Sequence, residues 1–494
     1  MNKKFALLLV LLAALVMGSV SSAAAAEIKA SGSWQVDAQW LSNVDFQGKG
    51  AVSEDKTFNI AQRMRTAFTF IANENLKGVL ETQIGDGNWG NGMFAIGAGR
   101  STTSGTTAGA GGSGNGGAGN IMLRKGYLDF KWPSTKVNFL VGFQSLSLPS
   151  AVGGGSAILD DHFAAAAVVV PVTDGISLVG GYGRLFDANS SYSSTAGGLS
   201  GSSTSTDAVF LIANLDYKGF KVQPFAAYAN LGADTYAAGT GGTALAGFRG
   251  ANSSTNEGIR AYWGGAAFTM TAFDPFKVMA DFNYGKATWN NQSATNKASG
   301  GRSGWLADIA VDYTGLSMMT PSFFAAYSSG ENGNSTHGSG KSERMPVVGA
   351  PQNYALGSFW LQGGDTIFGS FGDPSTTMGY WALGLSLKDI KLIDKLSHTV
   401  HLMYIKGTND ADFLKDTVAG NGVSYGRFLT TKDSLWEFDL NSKYQIYDEL
   451  SLGLELGYIN ASFDKSTWGA VNSDYNTYGS KSAYKATMLL NYSF

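Results

Sequence analysis

The last eleven residues, 484–494, read YKATMLLNYSF and decide the fold. Every second residue of this segment is apolar or aromatic: Tyr484, Ala486, Met488, Leu490, Tyr492 and Phe494. The residues between them are polar, apart from Leu489. A period of two places alternate side chains on opposite faces of a β-strand. We therefore predict a strand with one apolar face. Because chain ends usually fray, this strand needs a partner that holds it.

The other end of the chain predicts export. Residues 1–26 contain Lys3 and Lys4, then an apolar run over 5–17, then small residues with Ala24 and Ala26 at the spacing of a cleavage site. This pattern is typical of a secretory signal peptide, so we expect the mature chain to begin at Glu27. A membrane anchor is the alternative. The apolar run is 13 residues long, however, whereas a spanning helix needs roughly 20.

Composition excludes several classes of protein. The 494 residues include no cysteine, nine prolines, 66 glycines, 21 tyrosines and 29 phenylalanines, which favours a large β-structure without disulfides. Without the two leader lysines, 33 basic residues stand against 38 acidic ones, which argues against nucleic acid as a partner. No nucleophile, base and orienting residue can be nominated together, since the four histidines are scattered. We therefore do not expect an enzyme.

The alternation of the C-terminus recurs along the mature chain. It is clear in 28–40, 137–143, 436–440 and 450–458, and each run approaches the roughly ten residues of a tilted transmembrane strand. A soluble β-sandwich also alternates, but so many long strands would leave a large apolar surface in water. We predict an all-β, antiparallel, up-and-down transmembrane barrel over 27–494. The last strand should pair with 28–41, because an open edge in lipid leaves backbone groups unpaired.

Short and long connections alternate between these runs. Eight are short, and nine are long and rich in Gly, Ser, Thr and Asn. Seventeen connections predict eighteen strands, with both termini on the side of the short turns. This asymmetry is typical of outer-membrane barrels, which have short periplasmic turns and long external loops. One stretch, FAAAAVVVPV over 163–172, lacks alternation; if 163–187 is not a regular hairpin, the count is sixteen.

The strand faces opposite the apolar ones are predicted to line a water-filled lumen. A barrel of this size is too wide for its own side chains to fill. The inward set by this parity is Asp37, Arg63, Arg65, Glu81, Gln83, Asp216, Asp281, Asp308, Asp312, Glu437, Asp439, Lys443, Glu455 and Lys485. Acids outnumber bases, which predicts a weak preference for cations. In the run 121–132 the pattern leaves open whether Arg124 or Lys125 faces the lumen.

The chain resembles the trimeric outer-membrane porins, most closely the homotrimeric porins of sulfate-reducing and related Deltaproteobacteria. The resemblance rests on GSWQVDAQW, FNIAQRMRTAFTF, LRKGYLDFKWP, FQSLSLPSAVGGGSAILDD and the terminal NYSF, and it covers nearly the whole mature chain. It implies a homotrimer for passive diffusion of small hydrophilic solutes. It also implies that loop 145–162 folds inward and narrows the barrel. General porins have sixteen strands, so the count of eighteen departs from the family.

The same resemblance assigns a role to the C-terminus. A terminal Phe494 preceded by apolar Tyr492 and Leu490 is similar to the assembly signal that the barrel-insertion machinery reads. The expected partners are that machinery, outer-membrane lipid with lipopolysaccharide, and two further copies of the chain.

A pore constriction is predicted from charges that loop 145–162 brings together. Arg63 and Arg65 share the lumen face of one strand, because their neighbours on the opposite parity are apolar. The inward loop should bring Asp160 and Asp161 towards this wall, and opposed charges tune ion choice. The predicted constriction set is Arg63, Arg65, Glu81, Lys125, Asp160 and Asp161. Alternatively, the two aspartates only satisfy backbone groups where the loop returns.

Three function classes remain open, and an outer-membrane enzyme or adhesin is the third of them. A general diffusion pore leads, and a substrate-selective channel, for example for a sugar, is the alternative. No cofactor is expected. Asp410, Asp412 and Asp416 could hold a weakly bound calcium ion in an external loop, although the glycine turn and distal glutamate of a calcium loop are missing. His398 and His401, three residues apart on a strand, should face opposite sides and form no metal pair.

Overall fold

The structure is a computed structural model that describes residues 27–46, 56–90, 121–187, 205–232, 258–289, 301–333, 342–348, 355–360, 365–368, 379–413, 428–471 and 480–494. The proposed leader 1–26 and Asp416 of the calcium candidate lie outside these residues. Within the described part of the chain, no helix is both long and apolar enough to span a bilayer.

The described residues form eighteen antiparallel strands in one sheet. The strands are β1 Glu27–Ser42, β2 Lys56–Asn73, β3 Leu76–Asn88, β4 Ile121–Lys131, β5 Asn138–Ser147, β6 Asp160–Thr173, β7 Ile176–Asp187, β8 Ser205–Tyr217, β9 Phe220–Leu231, β10 Ile259–Phe273, β11 Phe276–Trp289, β12 Arg302–Tyr313, β13 Thr320–Ser328, β14 Tyr380–Ile393, β15 Leu396–Gly407, β16 Ser434–Tyr447, β17 Leu450–Ser462 and β18 Ala483–Ser493. A short helix, α1 (Lys465–Val471), lies between β17 and β18.

The sheet closes through its first and last strands, as predicted. β1 pairs with both β2 and β18, and Trp34 lies opposite Tyr492 while Val36 lies opposite Leu490. At the end of the seam the Phe494 N–H donates to the Gly32 carbonyl at 3.0 Å, and the Gly32 N–H donates back at 2.8 Å. The terminal strand is held because closure satisfies backbone groups that lipid could not.

The ambiguous stretch at 163–187 forms a regular hairpin, so the count of eighteen is confirmed. β6 and β7 pair from Ala164 opposite Arg184 to Pro171 opposite Ser177. Pro171 lies beside a register shift at the turn, where the loss of one N–H is tolerated. Alternation fails in β6 because both of its faces are apolar. Alanines on one face are exposed, and Phe163, Ala165 and Ala167 on the other are buried inside the barrel.

The two faces of the wall meet different surroundings. Large apolar side chains are exposed on the outer face, among them Trp34, Phe282, Leu385, Trp436 and Met488. The inner face carries the predicted charges, and several are buried although they are polar: Asp37, Gln83, Asp281, Asp308, Asp312, Glu437, Asp439, Glu455 and Lys485. Their burial shows that other segments of the chain occupy part of the interior.

Among the residues that the structure describes, two connections pack inside the barrel. Loop A, residues 148–159 between β5 and β6, closes at its base where the Leu148 N–H donates to the Leu159 carbonyl at 3.0 Å. Loop B comprises residues 342–348, 355–360 and 365–368 between β13 and β14. The loops touch each other: Val348 N–H donates to the Ile158 carbonyl at 2.7 Å, and Ala355 N–H donates to the Gly153 carbonyl at 2.8 Å.

The hydrophobic core lies between these loops and one part of the wall. Loop A contributes Leu148, Val152, Ile158 and Leu159, and the inner face of β6 to β10 contributes Phe163, Phe210, Phe225 and Trp263. The indole N–H of Trp263 donates to the Pro346 carbonyl of loop B at 2.8 Å. Burial of apolar side chains therefore draws loop A onto this side of the lumen.

Candidate functional site in the barrel lumen

Loop A is fixed to the wall by Asp281 on β11. The Asp281 carboxylate accepts the Ala151 N–H at 2.8 Å, the Val152 N–H at 2.9 Å and the Ser150 hydroxyl at 2.9 Å. Asp281 is 5% exposed. A buried carboxylate needs such donors, because desolvation without hydrogen bonds is costly. Asp281 therefore acts as a clasp that holds loop A across the lumen.

Loop B is fixed by two acids on β16. The Glu437 carboxylate accepts the N–H groups of Phe359 at 3.0 Å and Trp360 at 3.1 Å, and the Asp439 carboxylate accepts the Ser358 N–H at 2.8 Å. The backbone N–H groups of three consecutive residues, 358–360, thus donate to two carboxylates. A side chain at Gly357 would lie within 2.6 Å of the Glu437 carboxylate and would also meet Met403, so this close approach requires glycine.

The next described part of loop B has its own clasp on β1 and β17. Ile367 N–H donates to Asp37 and Asp365 N–H donates to Glu455, both at 2.6 Å. Lys485 on β18 links the segments 355–360 and 365–368 of loop B. Its Nζ lies 2.6 Å from the Ser358 carbonyl and 2.7 Å from the Glu455 carboxylate, which binds Asp365. Five of the predicted inward acids, Asp37, Asp281, Glu437, Asp439 and Glu455, therefore hold the two loops by backbone contacts.

A cluster of basic and amide side chains lines the wall from β2 to β4. Arg65 Nε donates to the Gln83 side-chain oxygen at 2.8 Å, and the same oxygen accepts Arg124 Nη1 at 2.8 Å. Arg63 Nη2 donates to the Gln35 side-chain oxygen at 3.3 Å. We call Arg63, Arg65, Glu81, Gln83, Arg124 and Lys125 the basic wall.

A β-bulge explains why the pattern could not choose between Arg124 and Lys125. Glu81 lies opposite Lys125 while Thr82 lies opposite Leu123, so Arg124 is the extra residue. A bulge can turn successive side chains to the same side. Arg124 Nε lies 2.8 Å and Lys125 Nζ 2.7 Å from the Glu81 carboxylate. Both cations thus join the wall.

The two loop aspartates lie where loop A returns to β6. Asp160 is 6% exposed. The Asp161 carboxylate accepts the His162 N–H at 2.7 Å, and His162 Nε2 lies 3.1 Å from Arg124 Nη2. Of the predicted constriction set, the structure therefore joins Glu81 directly to Lys125, links Arg65 to them through Gln83 and Arg124, and relates Asp161 to this cluster through His162.

A cavity of about 650 Å³ lies in the lumen below loop B. Hydroxyl and amide side chains dominate its lining: Ser33, Gln35, Thr399, Asn441, Ser451 and Asn491. Two bases and three acids add charge to it: Arg63, Lys443, Asp365, Asp389 and Glu455. Such a lining offers both donors and acceptors to a hydrated solute.

The remaining sequence candidates lie elsewhere. Leu490, Tyr492 and Phe494 are about two-fifths exposed on the outer face. Asp410 accepts the Asp412 N–H at 2.8 Å, as in an Asx turn. No group of three potential metal ligands occurs among the residues that the structure describes. His398 and His401 contact different serines, Ser442 and Ser386, on neighbouring strands.

The alternation pattern does not predict the inward position of loop B, although the sequence contains one local signal for it. The sequence pattern predicts a polar external loop between β13 and β14, yet this connection contains Leu356, Phe359 and Trp360 within five residues. These three side chains are buried inside the barrel. An apolar cluster within a Gly- and Ser-rich connection could have indicated that the segment packs inward.

Comparison with known proteins gives matches of structure only. No protein-family model matches the chain, and no curated protein matches it in sequence. OpdQ of Pseudomonas aeruginosa aligns with a TM-score of 0.50 and 11% identity over 94% of this chain and 98% of its own. OccK8 (OprE) of the same organism aligns with a TM-score of 0.50 and 11% identity over 95% and 98%.

A third structure, the outer membrane channel DcaP of Acinetobacter baumannii, covers 97% of this chain and 99% of its own at 12% identity, with a TM-score of 0.43. The structural neighbours are outer-membrane porin-like channels with 18-stranded barrels, and such channels are not enzymes. The relation to the Deltaproteobacterial homotrimeric porins stays a prediction. The chain has the closed 18-stranded fold of outer-membrane channels and belongs in the bacterial outer membrane.

Proposed function

We propose that the protein is a porin that lets small hydrophilic solutes and ions diffuse passively across the outer membrane. The observation that carries this proposal is a closed 18-stranded barrel whose interior is polar and narrowed by two inward loops. Barrels of 16 to 18 strands leave an aqueous channel unless the chain fills it. Loop A and loop B restrict the lumen without replacing its polar lining.

The solute path in this proposal follows the basic wall. Loop A lies against the inner face of β6 to β11, and loop B lies against that of β10, β12, β16, β17 and β1. The basic wall from β2 to β4 would line the open side of the path, and Arg63 connects it with the cavity, whose lining includes Ser451 and Asn491 near the short turns. The acidic side chains beneath the loops and the basic side chains on the opposite side of the lumen would set up an electric field across the solute path. Weak cation preference remains our expectation, because the inward acids outnumber the inward bases.

Assembly and export complete the proposal. The mature chain would begin at Glu27 after removal of 1–26, and loop 145–162 would form the constriction. Three copies would assemble in lipid that contains lipopolysaccharide, after the insertion machinery has read Phe494, Tyr492 and Leu490. Bound calcium at Asp410, Asp412 and Asp416 remains the weaker alternative to a solvated loop.

A substrate-selective channel is the second candidate, and loop B favours it. A second loop inside the barrel leaves less free cross-section than one constriction loop, and it contributes Asp365 to the lining of the cavity. A selective channel should show a conductance that saturates, or that one class of solute blocks.

Planar-bilayer recording tests both candidates. For a general porin we expect conductance steps in threes that scale with the conductivity of the bath. Saturable block by one solute, such as a sugar, and not by others would identify the selective channel. Correctly refolded protein that stays silent and monomeric would contradict the porin proposal. Protein unfolded by heat before addition is the control.

A further inference from the structure

Arg124 of the basic wall is held by three different side chains. Its Nε lies 2.8 Å from the Glu81 carboxylate, and its Nη1 donates to the Gln83 side-chain oxygen at 2.8 Å. Its Nη2 lies 3.1 Å from Nε2 of His162, which belongs to β6. Each nitrogen of the guanidinium therefore has a partner. Of these three partners, the histidine is the type of side chain whose charge changes between pH 5 and 8.

The contact between Arg124 and His162 lies where two strands of the wall part. Among the described residues, the ladder between β4 and β5 ends at the pair of Gly126 and Phe143. Beyond this pair β4 follows β3, and β5 follows β6. His162 belongs to this part of the wall, because its register partner on β5 is Ser145. A side-chain contact thus connects β4 with β6 where the backbone ladder between β4 and β5 has ended.

The chemistry of the two groups fixes where the proton of the neutral ring sits. A guanidinium has donors and no acceptor, so Nε2 of His162 must accept the hydrogen bond from Arg124. Nε2 is then unprotonated, and the neutral ring carries its proton on Nδ1. Nδ1 lies 3.7 Å from an oxygen of the Asp161 carboxylate, which also accepts the His162 backbone N–H at 2.7 Å. The ring therefore presents its acceptor to Arg124 and its donor to Asp161.

Protonation of His162 would remove the acceptor that Arg124 uses. Two N–H donors, each on a positively charged group, would then face each other across 3.1 Å. Such a contact is repulsive, whereas the protonated ring is attracted to the Asp161 carboxylate. The side chain of His162 is 20% exposed, so water can deliver the proton. Acidification should therefore separate the ring from the guanidinium.

The surrounding charges set the direction of the effect on ion choice. Loop A, 148–159, has no charged residue in its sequence. The charged groups on the strands around the ring are Arg124 and Lys125 on β4, Glu81 on β3, and Asp160 and Asp161 on β6. Three acids thus outnumber two bases, and one added proton offsets the difference. Charge at a constriction tunes ion choice, so this proton should favour anions.

We propose that His162 is a positioning residue for Arg124 and makes the charge selectivity of the pore depend on pH. The neutral ring holds the guanidinium in the basic wall. The protonated ring releases Nη2 of Arg124 and adds one positive charge beside the predicted constriction. This inference rests on the proposed porin function and adds regulation to its constriction.

The first test is the reversal potential of the refolded mature protein in a KCl gradient, measured from pH 8 to about 5.5. Histidine changes charge in this range, whereas most carboxyls stay ionised. We expect wild type to shift towards anion preference and His162→Gln to show no shift. The matched control is His398→Gln, which should follow wild type, because His398 contacts the Ser442 hydroxyl at 2.8 Å on β15 and β16, outside the basic wall. A flat profile in wild type, or a shift that persists in His162→Gln, would overturn the proposal.

The second test separates positioning of Arg124 from the charge of His162 alone. Nuclear magnetic resonance of protein with nitrogen-15-labelled histidine reports which ring nitrogen carries the proton. At pH 8 we expect Nδ1 of His162 to be protonated in wild type, and we expect this preference to be lost in Arg124→Met, which keeps an apolar stem and removes the donors. Lys125→Met removes the neighbouring cation and is the control that should keep the preference. An unchanged ring in Arg124→Met would overturn the positioning role.

The two tests keep this inference apart from the porin function. A folded barrel that is silent in bilayers but has the expected ring protonation would support the positioning of Arg124 and contradict the porin function. A conducting barrel with a flat pH profile would overturn the inference and leave the porin function standing. His162→Lys carries a fixed charge and should show at pH 8 the selectivity that wild type reaches on acidification; wild-type selectivity at pH 8 would also overturn the inference. The temperature at which the barrel unfolds in gel electrophoresis verifies that each variant is folded.

Discussion

Lys485 Nζ lies 2.7 Å from the Glu455 carboxylate, and the two side chains are only 5% and 6% exposed inside the barrel. Each residue is on the wall, on β18 and β17, yet both contact loop B. Glu455 accepts the Asp365 N–H, and Lys485 donates to the Ser358 carbonyl. This ion pair therefore couples β18, the strand that closes the barrel, to the position of loop B.

Replacing Lys485 by Met should destabilise the barrel strongly. The change leaves the Glu455 charge buried without its partner, which costs about 3–5 kcal/mol. Urea unfolding of the refolded protein in lipid vesicles would measure it. Lys443→Met is the control, because Lys443 is inward but exposed. The double variant Lys485→Met with Glu455→Leu should recover much of the loss; no recovery would show that the pair is not the cause.

Replacing Glu437 by Gln should loosen loop B and raise single-channel conductance. The amide has one oxygen where the carboxylate uses two, and it carries no charge, so one of the N–H groups of Phe359 and Trp360 loses its acceptor. A lost charged hydrogen bond costs about 1–3 kcal/mol, enough to populate an undocked loop.

Bilayer recordings would show the change at Glu437 as larger steps or frequent switching between two levels. Asp216→Asn is the matched control, since it removes an inward acid that is exposed near the short turns. Identical conductance of Glu437→Gln and wild type would mean that this clasp does not restrict the path.

Removing the acidic side chains and removing the basic side chains of the predicted constriction should shift its charge selectivity in opposite directions. Asp160→Asn with Asp161→Asn removes two negative charges and should shift the reversal potential in a KCl gradient towards anion preference. Arg63→Gln with Arg65→Gln should shift it towards cation preference, because these arginines line the basic wall. An unchanged reversal potential in the aspartate variant would remove Asp160 and Asp161 from the constriction.

Phe494 should matter more for insertion than for stability. Its ring is 41% exposed and its backbone pairs with Gly32, so Phe494→Ala keeps the seam hydrogen bonds and changes the unfolding temperature by no more than a few degrees, on the order of a 1 kcal/mol effect. The amount of folded protein in outer membranes should fall. Ser493→Ala, the neighbouring position, is the control. Normal insertion of Phe494→Ala would count against an assembly role.

The external loop around α1 should stay ordered down to strongly acidic pH. Asp464 caps α1: its carboxylate accepts the hydroxyls of Ser466 and Thr467, each at 2.6 Å, and the Thr467 N–H at 2.9 Å. These bonds lower the pKa of Asp464 to about 2 from 3.8. A lowered folded-state pKa means that the stabilisation is complete above pH 3.8 and is lost as the pH falls towards 2.

Pepsin digestion measures this loss at acidic pH. We expect protection of 465–471 at pH 4 and cleavage near pH 2 in wild type, whereas Asp464→Ala should be cleaved at both, since a lost N-cap costs about 1 kcal/mol. Asp448→Ala, in a short turn on the other side, is the control. Equal protection of Asp464→Ala and wild type at pH 4 would contradict the capping role.

The sequence by itself determined the wall of this barrel. Alternation is a local property: Tyr484, Ala486 and Met488 share a face because successive side chains of any strand point to opposite sides. Lipid requires that face to be apolar and every strand to be paired, so the strand count and the pairing of the ends could be predicted. Even the inward position of Glu437 and Asp439 followed from their apolar neighbours.

Only the tertiary structure decided what those inward charges do. Ser358 and Asp439 are 81 positions apart, and Ile367 meets Asp37 across 330 positions. No local period encodes such contacts, because they depend on how a long connection fits a cavity that exists only after closure. The bulge at Arg124 was also beyond the pattern, since one extra residue resets the parity. The local pattern set the direction of each side chain, whereas its partner depended on the shape that the whole chain encloses.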